Sequence, residues 1–304
     1  MKRAPKDVAS SVHQRLLNRA KETKRPFDEM LQHFAMERFL YRLSRSRHAD
    51  KLVIKGALML TIWKVDRLRP TRDIDVLARM RNDLDAVLGL TRDVCVQHVE
   101  PDGLAFDADT VEGERIVEDA AYGGIRVRFR GRLGAARISM QLDVGFGDPV
   151  VPAVVTVEYP SVLDLPAPRL AAYTKESFIA EKFEAMMKLG ALNSRMKDFY
   201  DVWLLSNQFG FDGSTLSAAI LETFSTRGTP MPSRLAAWTQ ALLRDDGKSA
   251  QWRGFIRRSR LEDAPRDFEG IVLSIAAFLE PVVRALTAGG PFKKAWRTSG
   301  RWST

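Results

Sequence analysis

The segment that most narrows what this chain can fold into runs from Leu52 to Val76. Leu52-Val53-Ile54 is a short apolar run that reads as a buried strand, and Gly56 permits a tight turn with close backbone approach to a ligand. Ala57 to Lys64 reads as a short helix whose N-terminus suits anionic oxygens. Seventeen residues after Gly56 comes Asp73-Ile74-Asp75. Successive side chains of a strand point to opposite faces, so Asp73 and Asp75 share one face while Ile74 and Val76 enter the core. Two adjacent carboxylates repel unless a cation lies between them, and paired oxygen donors with open positions suit Mg²⁺ bound to phosphates. A plain solvated strand end would show the same DxD pattern. The strand, glycine and helix that precede it favour a phosphate-and-metal site.

A third carboxylate would complete a two-metal arrangement. Between Ala136 and Phe146 the chain alternates, with Ile138, Met140, Leu142 and Val144 on one face and Arg137, Ser139, Gln141, Asp143 and Gly145 on the other. Asp143 therefore projects from the polar face of a central strand. If that strand lies beside the Asp73/Asp75 strand, the three acids could together hold metal ions; otherwise Asp143 is an exposed acid on a half-solvated strand.

Further along, Phe178, Ile179, Lys182, Ala185, Met186 and Leu189 recur at helical spacing, which puts Lys182 on or beside a buried stripe. A buried ammonium needs an anion, either a protein carboxylate or a bound phosphate. Asp198 and Asp201 open a second amphipathic helix with Val202, Leu204 and Leu205, and Asp201 could answer Lys182 or Arg195 across the helix pair. On the residues alone, an internal salt bridge between two packed helices is the simpler reading.

Taken in order, Lys55-Gly56-Ala57, Asp73-Ile74-Asp75, the strand ending in Asp143, and the Ala180-Glu181-Lys182 and Lys197-Asp198-Phe199-Tyr200-Asp201 blocks resemble the AbiEii/AbiGii-type toxin family of bacterial nucleotidyltransferases. The resemblance spans roughly residues 30 to 210 and rests on the order of the motifs, each of which is weak by itself. It implies an α+β fold: a mixed sheet like that of DNA polymerase β-type nucleotidyltransferases, flanked by helices, with an N-terminal helical segment and a C-terminal helical subdomain. It implies an enzyme that uses Mg²⁺, with Mn²⁺ as an alternative, and an NTP. The product would be a nucleotide added to the 3′ acceptor end of tRNA, which blocks translation. The implied partners are that tRNA, or another RNA acceptor, and a winged-helix antitoxin encoded alongside in a type IV toxin–antitoxin or phage-defence pair. By position, Gly56 would sit at the triphosphate, Asp73 and Asp75 would bind the metals, with Asp143 as a further ligand, and Lys182 would contact nucleotide phosphate. Asp198 would orient Lys182 or the nucleotide, and Lys55, Arg72 and Arg195 would join the phosphate contacts. The chain departs from the pattern at Ala57, where such enzymes carry Ser, Gly or Thr, so backbone N–H groups would replace a hydroxyl at the phosphates. Transfer to a protein hydroxyl, or RNA binding without catalysis, would fit the same residues.

A formal charge of +9 favours a polyanionic partner. Residues 1 to 25 hold Lys2, Arg3, Lys6, Arg15, Arg19, Lys21, Lys24 and Arg25 against Asp7 and Glu22. The C-terminal end carries Lys293, Lys294, Arg297 and Arg301 with Trp296 and Trp302, and Arg253, Arg257, Arg258 and Arg260 form a third cluster. Basic groups interleaved with aromatics can track phosphates and stack on bases, or can simply be a solvated helix face and a disordered tail. Cys95 is the single cysteine, read as a buried thiol in the apolar run Val94-Cys95-Val96, and the four histidines show no metal-ligand spacing. No signal peptide and no apolar run near twenty residues is expected, which points to a cytoplasmic protein without a membrane partner.

The expected organisation is an N-terminal helical segment over 1–48 with Phe27, Leu31, Phe34, Phe39 and Leu40 spaced for burial, and a catalytic core over 49–170. A helical subdomain over 171–290 and a basic tail over 291–304 follow. Within the core, Val94 to Val99 and Gly124 to Arg130 read as strands joined by a Gly/Asp-rich loop over 101–115. Helices are expected at 216–224, 235–243 and 271–286.

Overall fold

The computed structural model describes residues 7–66, 68–116, 123–261, 264–298 and 300–303. Lys2, Arg3 and Lys6 lie outside the described residues. The chain forms two compact units. The first comprises Met1–Lys64, Pro70–Gly147 and Val155–Ala172, the second Val65–Arg69, Asp148–Val154 and Tyr173–Thr304.

The first unit opens with α1 (Val8–Thr23) and α2 (Phe27–Arg45). The Asp7 carboxylate caps α1 by accepting from Ser10 N at 3.1 Å, and Asp28 and Glu29 complement the N-terminal end of the α2 dipole. Then follow β1 (Leu52–Lys55), α3 (Leu58–Ile62), β2 (Asp73–Ala78), α4 (Leu84–Cys95), β3 (Leu104–Ile116), β4 (Gly124–Leu133), β5 (Ala136–Phe146), β6 (Val155–Glu158) and β7 (Arg169–Ala172). The seven strands form one sheet in the order β3-β4-β5-β2-β1-β7-β6. The β2–β5 and β1–β7 pairs are parallel and the others antiparallel, so the sheet is mixed. Ile54, Val76, Val144 and Ile125 stand side by side across four strands and are almost wholly buried on the face that α2 covers. Phe39 of α2 meets Phe129 and Phe106 at ring separations of 4.9 and 5.6 Å, which locks the helix onto β3 and β4. The same helix buries charge: Asp102 accepts from Arg38 Nε at 2.9 Å and from both terminal nitrogens of Arg42, so each charge has its partner.

Two expectations fail here. Val94 to Val99 is not a strand: Val94 and Cys95 end α4, and residues beyond are irregular. Asp83 caps that helix, and Val87, Leu90, Thr91, Val94 and Cys95 are its buried stripe at three- and four-residue spacing, a period that a six-residue window hides. Residues 101–115 are not a loop, because most of them form β3. Their acids, Asp107, Asp109, Glu112 and Glu114, face solvent along a sheet edge while Leu104, Phe106 and Val111 turn inward. A bulge between Asp107 and Glu112 breaks the alternation that would have revealed the strand.

In the second unit come α5 (Lys175–Leu189), α6 (Met196–Gln208), β8 (Phe211–Asp212), α7 (Gly213–Arg227), α8 (Ala236–Leu243), α9 (Asp246–Ser259), α10 (Phe268–Thr287), β9 (Ala295–Arg297) and β10 (Arg301–Ser303). By length and composition alone α10 could cross a membrane, against the expectation that no such run exists, because Glu280 and Arg284 mask its apolar character in the sequence. Phe268, Ile271, Val272, Ile275, Phe278, Leu279, Val282 and Val283 are its buried side, and the helix packs on α6, α7, α8 and α9. The C-terminal end is likewise a folded element, not a loose basic tail. Trp296 is 4% exposed and donates from Nε1 to Ser206 O, while Trp302 stacks on Phe278 at 5.7 Å with ring planes 2° apart. Trp296 is therefore a core side chain and Trp302 is half-buried, and both rings pack on Phe278.

Candidate active site

The acids expected to act together in the first unit are neighbours. Residues directly opposite in paired strands face the same way, and the register reads Lys55 of β1, Asp75 of β2, Asp143 of β5 and Arg126 of β4 across the sheet. One row above, Asp73 stands beside Gln141 on the same face. The parallel pairing of β2 with β5 thus supplies the adjacency on which the reading of Asp143 depended. Asp143 is nonetheless engaged: Arg126 donates to its two oxygens at 2.8 and 2.7 Å, and Gln141 Nε2 donates to Oδ2 at 3.2 Å. Bidentate guanidinium pairing is among the stronger charge-assisted contacts, so a cation at Asp143 would have to displace it.

Gly56 closes this row. Its φ is +66°, and a Cβ placed there would lie 2.1 Å from Asp75 Oδ2 and 2.6 Å from Asp75 Cβ. The residue must be glycine on both counts, because the backbone is left-handed and the space is filled by the carboxylate. Ala57 and α3 follow directly, although α3 is shorter than expected, with Lys64 already beyond it at φ 54°. Arg72, just before β2, is exposed and 3.5 Å from Asp28 Oδ2. Among the described residues no group of three or more His, Cys, Asp or Glu side chains is arranged to hold a metal ion. Asp73 and Asp75 place carboxylate oxygens on one face, with Asp75 packed against the Gly56 turn, and Mg²⁺ commonly takes one or two carboxylates plus substrate phosphates.

The downstream residues assemble within the second unit. Lys182 Nζ donates to Asp198 Oδ1 at 2.7 Å and lies 2.9 Å from Asp201 Oδ2. Arg69 grips Asp201 with two bonds of 2.8 Å, and Arg195 Nε stands 3.0 Å from Asp198 Oδ2. Lys182 also sits over the Phe178 ring at 4.6 Å. Burial would lower the Lys182 pKa, but the Asp198 and Asp201 carboxylates outweigh it and hold the ammonium above the ordinary lysine value. Burial would likewise raise Asp201, yet Arg69 and Lys182 keep it below the usual carboxylate range. Lys182, Arg69 and Arg195 thus converge on the Asp198 and Asp201 carboxylates. In the same unit, Arg227 is held by Asp148 and Glu184 at 2.8 Å each.

Sequence reasoning missed Arg126, Arg69 and Arg227. Arg126 was accessible in principle, since Gly124 to Leu133 and Ala136 to Phe146 form a hairpin whose alternation pairs it with Asp143. Arg69 lies in an irregular segment between α3 and β2 and carries no local signal. Cys95 is buried as expected, and burial pushes its thiol up to about 12, far from nucleophilic use.

A DxD strand in a mixed sheet, with its second carboxylate closed against a glycine turn, is the arrangement that the resemblance leads one to expect of a nucleotidyltransferase. The family model described as nucleotidyl transferase AbiEii toxin, type IV TA system, matches residues 38–273, and the chain belongs to that toxin family. Membership gives it nucleotidyltransferase activity with an NTP as substrate, within a toxin–antitoxin system that implies an antitoxin partner. Among solved structures the chain is similar to a candidate nucleotidyltransferase from H. pylori, at 14% identity over 86% of this chain and 98% of that one with a TM-score of 0.48. It is also similar to JHP933 from Helicobacter pylori, at 13% identity over 86% and 94% of the two chains with a TM-score of 0.45. No curated protein sequence matches it.

Proposed function

We propose that this toxin transfers NMP from an NTP to the 3′-hydroxyl at the acceptor end of tRNA and so blocks translation in the cytoplasm. The observation that carries this reading is the Gly56 turn packed against the Asp75 carboxylate, with Asp73 on the same sheet face. The acceptor oxygen bonds to the α-phosphorus as the bond to pyrophosphate breaks; pyrophosphate leaves and the hydroxyl proton is lost. Asp73 and Asp75 would hold Mg²⁺, which when bound supplies positive charge to the phosphates and lowers the pKa of the attacking oxygen. Gly56 lets the backbone approach the triphosphate, and the Ala57 N–H stands in for the missing hydroxyl. Lys55, beside Asp75 in the register, and Arg72 would neutralise phosphate oxygens. Lys182 and Arg195 are proposed as phosphate contacts, with Asp198 orienting Lys182; the direct pairing of both cations with Asp198 supports this. Asp143, held by Arg126, is proposed as a metal ligand only where an incoming cation displaces that arginine. The acceptor is drawn from the +9 charge, which favours RNA, and a winged-helix protein is proposed as the antitoxin.

Incubation of the protein with each α-³²P NTP, Mg²⁺ and total tRNA tests the proposal. Label on the tRNA 3′ end, abolished in Asp75→Ala, is expected. Label on protein, or undiminished RNA labelling by Asp75→Ala, would overturn it.

A further inference from the structure

The face of the sheet that carries the acids has a second charged feature. β4 presents Arg126, Arg128, Arg130 and Arg132 at alternate positions, so all four project from the face shared with Asp75 and Asp143. Near the acids this charge is answered, since Arg126 grips Asp143 and Arg128 pairs with Glu114 of β3 at 2.8 Å. Toward the β4–β5 hairpin it is not. Arg130, Arg132 and Arg137 are exposed, and among the described residues none of them has a carboxylate within ion-pair distance. Asp107, opposite Arg130 in β3, instead accepts from Asp109 N within the bulge of its own strand. Arg132 and Arg137 are directly opposite each other, and Arg130 is the diagonal neighbour of Arg137. Like charges facing across an antiparallel pair destabilise a sheet, so a bound polyanion would relieve a repulsion built into this hairpin.

We propose that Arg130, Arg132 and Arg137 hold the sugar–phosphate backbone of the acceptor RNA upstream of its reactive 3′ end, an inference that rests on the RNA-acceptor reading above. Arg137 precedes Asp143 by six residues of the same strand, a separation of about 20 Å at the rise of a strand. Stacked nucleotides rise about 3.4 Å each, so the arginines meet phosphates about six nucleotides from the reacting hydroxyl, fewer where the strand is unstacked. Backbone phosphates carry no base information, so this surface grips acceptors of any sequence.

The test uses the full chain with Arg130→Gln, Arg132→Gln and Arg137→Gln combined. A control combines Lys188→Gln, Arg234→Gln and Arg244→Gln, which removes the same charge from exposed positions outside the three basic clusters. Anisotropy with labelled tRNA between about 50 and 200 mM salt should show the slope of log affinity against log salt falling by about 2 in the hairpin variant, from about 0.7 per phosphate contact in single strands. The control should leave the slope unchanged, and thermal stability of the hairpin variant should not fall. Unchanged affinity and slope in the hairpin variant, or an equal loss in the control, would overturn the proposal. Polyglutamate competing as well as tRNA would overturn it in favour of an acidic protein partner. NMP transfer separates the two readings. RNA labelling by the parent chain with an unaltered RNA KM in the hairpin variant refutes the arginine surface and leaves the activity standing. Absence of RNA labelling, with salt-dependent binding that the hairpin variant loses, refutes the activity and leaves the surface.

Discussion

Replacing Gly56 with alanine should separate the cost of a left-handed backbone from the cost of disturbing the acid beside it. At φ +66° any L-residue loses about 1–2 kcal/mol relative to glycine. The added Cβ would also meet Asp75 Oδ2 at 2.1 Å and Asp75 Cβ at 2.6 Å. A turn of the carboxylate relieves the first contact, but the second requires the β-carbon itself to retreat by about 1 Å, and displacement on that scale costs about 10²-fold in rate where it moves a catalytic group. Forcing Asp75 off its rotamer adds about 0.5–1.5 kcal/mol. Gly228 supplies the control: it is left-handed at φ +63° and has no atom within 4 Å of an added Cβ. Gly228→Ala should therefore lose about 1–2 kcal/mol and keep full activity. Gly56→Ala should lose about 2–3 kcal/mol together with about two orders of magnitude in rate. Thermal unfolding, at roughly 2–4 °C per kcal/mol, and pyrophosphate release from NTP measure the two quantities. A Gly56→Ala protein with normal turnover and a stability loss no larger than that of Gly228→Ala would refute the argued contact between turn and acid.

Asp201→Ala should destabilise the second unit by about 3–5 kcal/mol, because it removes the buried carboxylate that pairs with both Arg69 and Lys182; a urea midpoint close to that of the parent would show those charges to be well solvated. Burial, aided by Arg25, lowers the His33 pKa from 6.5 to about 4, so the unfolded chain binds a proton that the folded one refuses. Stability is then complete above pH 6.5 and falls until about pH 4, with roughly 1.5–2 kcal/mol lost between pH 6.5 and 5. His33→Gln should flatten that interval in urea titrations, and an unchanged slope would contradict the assignment. Trp296→Ala should cost about 3–5 kcal/mol through the cavity left beside Phe278 and the lost bond to Ser206; no change in stability would mean that the C-terminal strands are not part of the core.

The legible parts of the chain were those with a clean local period. β1, β2, β4, β5, α5, α6, α7, α8 and α10 each announce themselves by alternation or by three- and four-residue spacing, and Gly56 by its place between a strand and a helix. β3 was lost because a bulge interrupts its alternation, and the end of α4 because three apolar residues in a row serve a helix and a strand equally. Trp296 and Trp302 stayed ambiguous for a different reason: an aromatic among basic residues looks the same whether its ring meets a base or Phe278.

The sequence by itself determined that Asp73 and Asp75 share a face, that Asp143 projects from a polar face, and that Lys182 needs an anion. Each follows from a period that the covalent chain imposes over a few residues. Only the tertiary structure decided which segments became neighbours. The parallel register of β2 on β5 sets Asp75 beside Asp143, β4 delivers Arg126 to that acid, and Arg69 reaches across from an irregular segment to Asp201. Pairings of that kind depend on how the whole unit buries its apolar surface, and residues far apart in sequence acquire their partners only when that burial is complete.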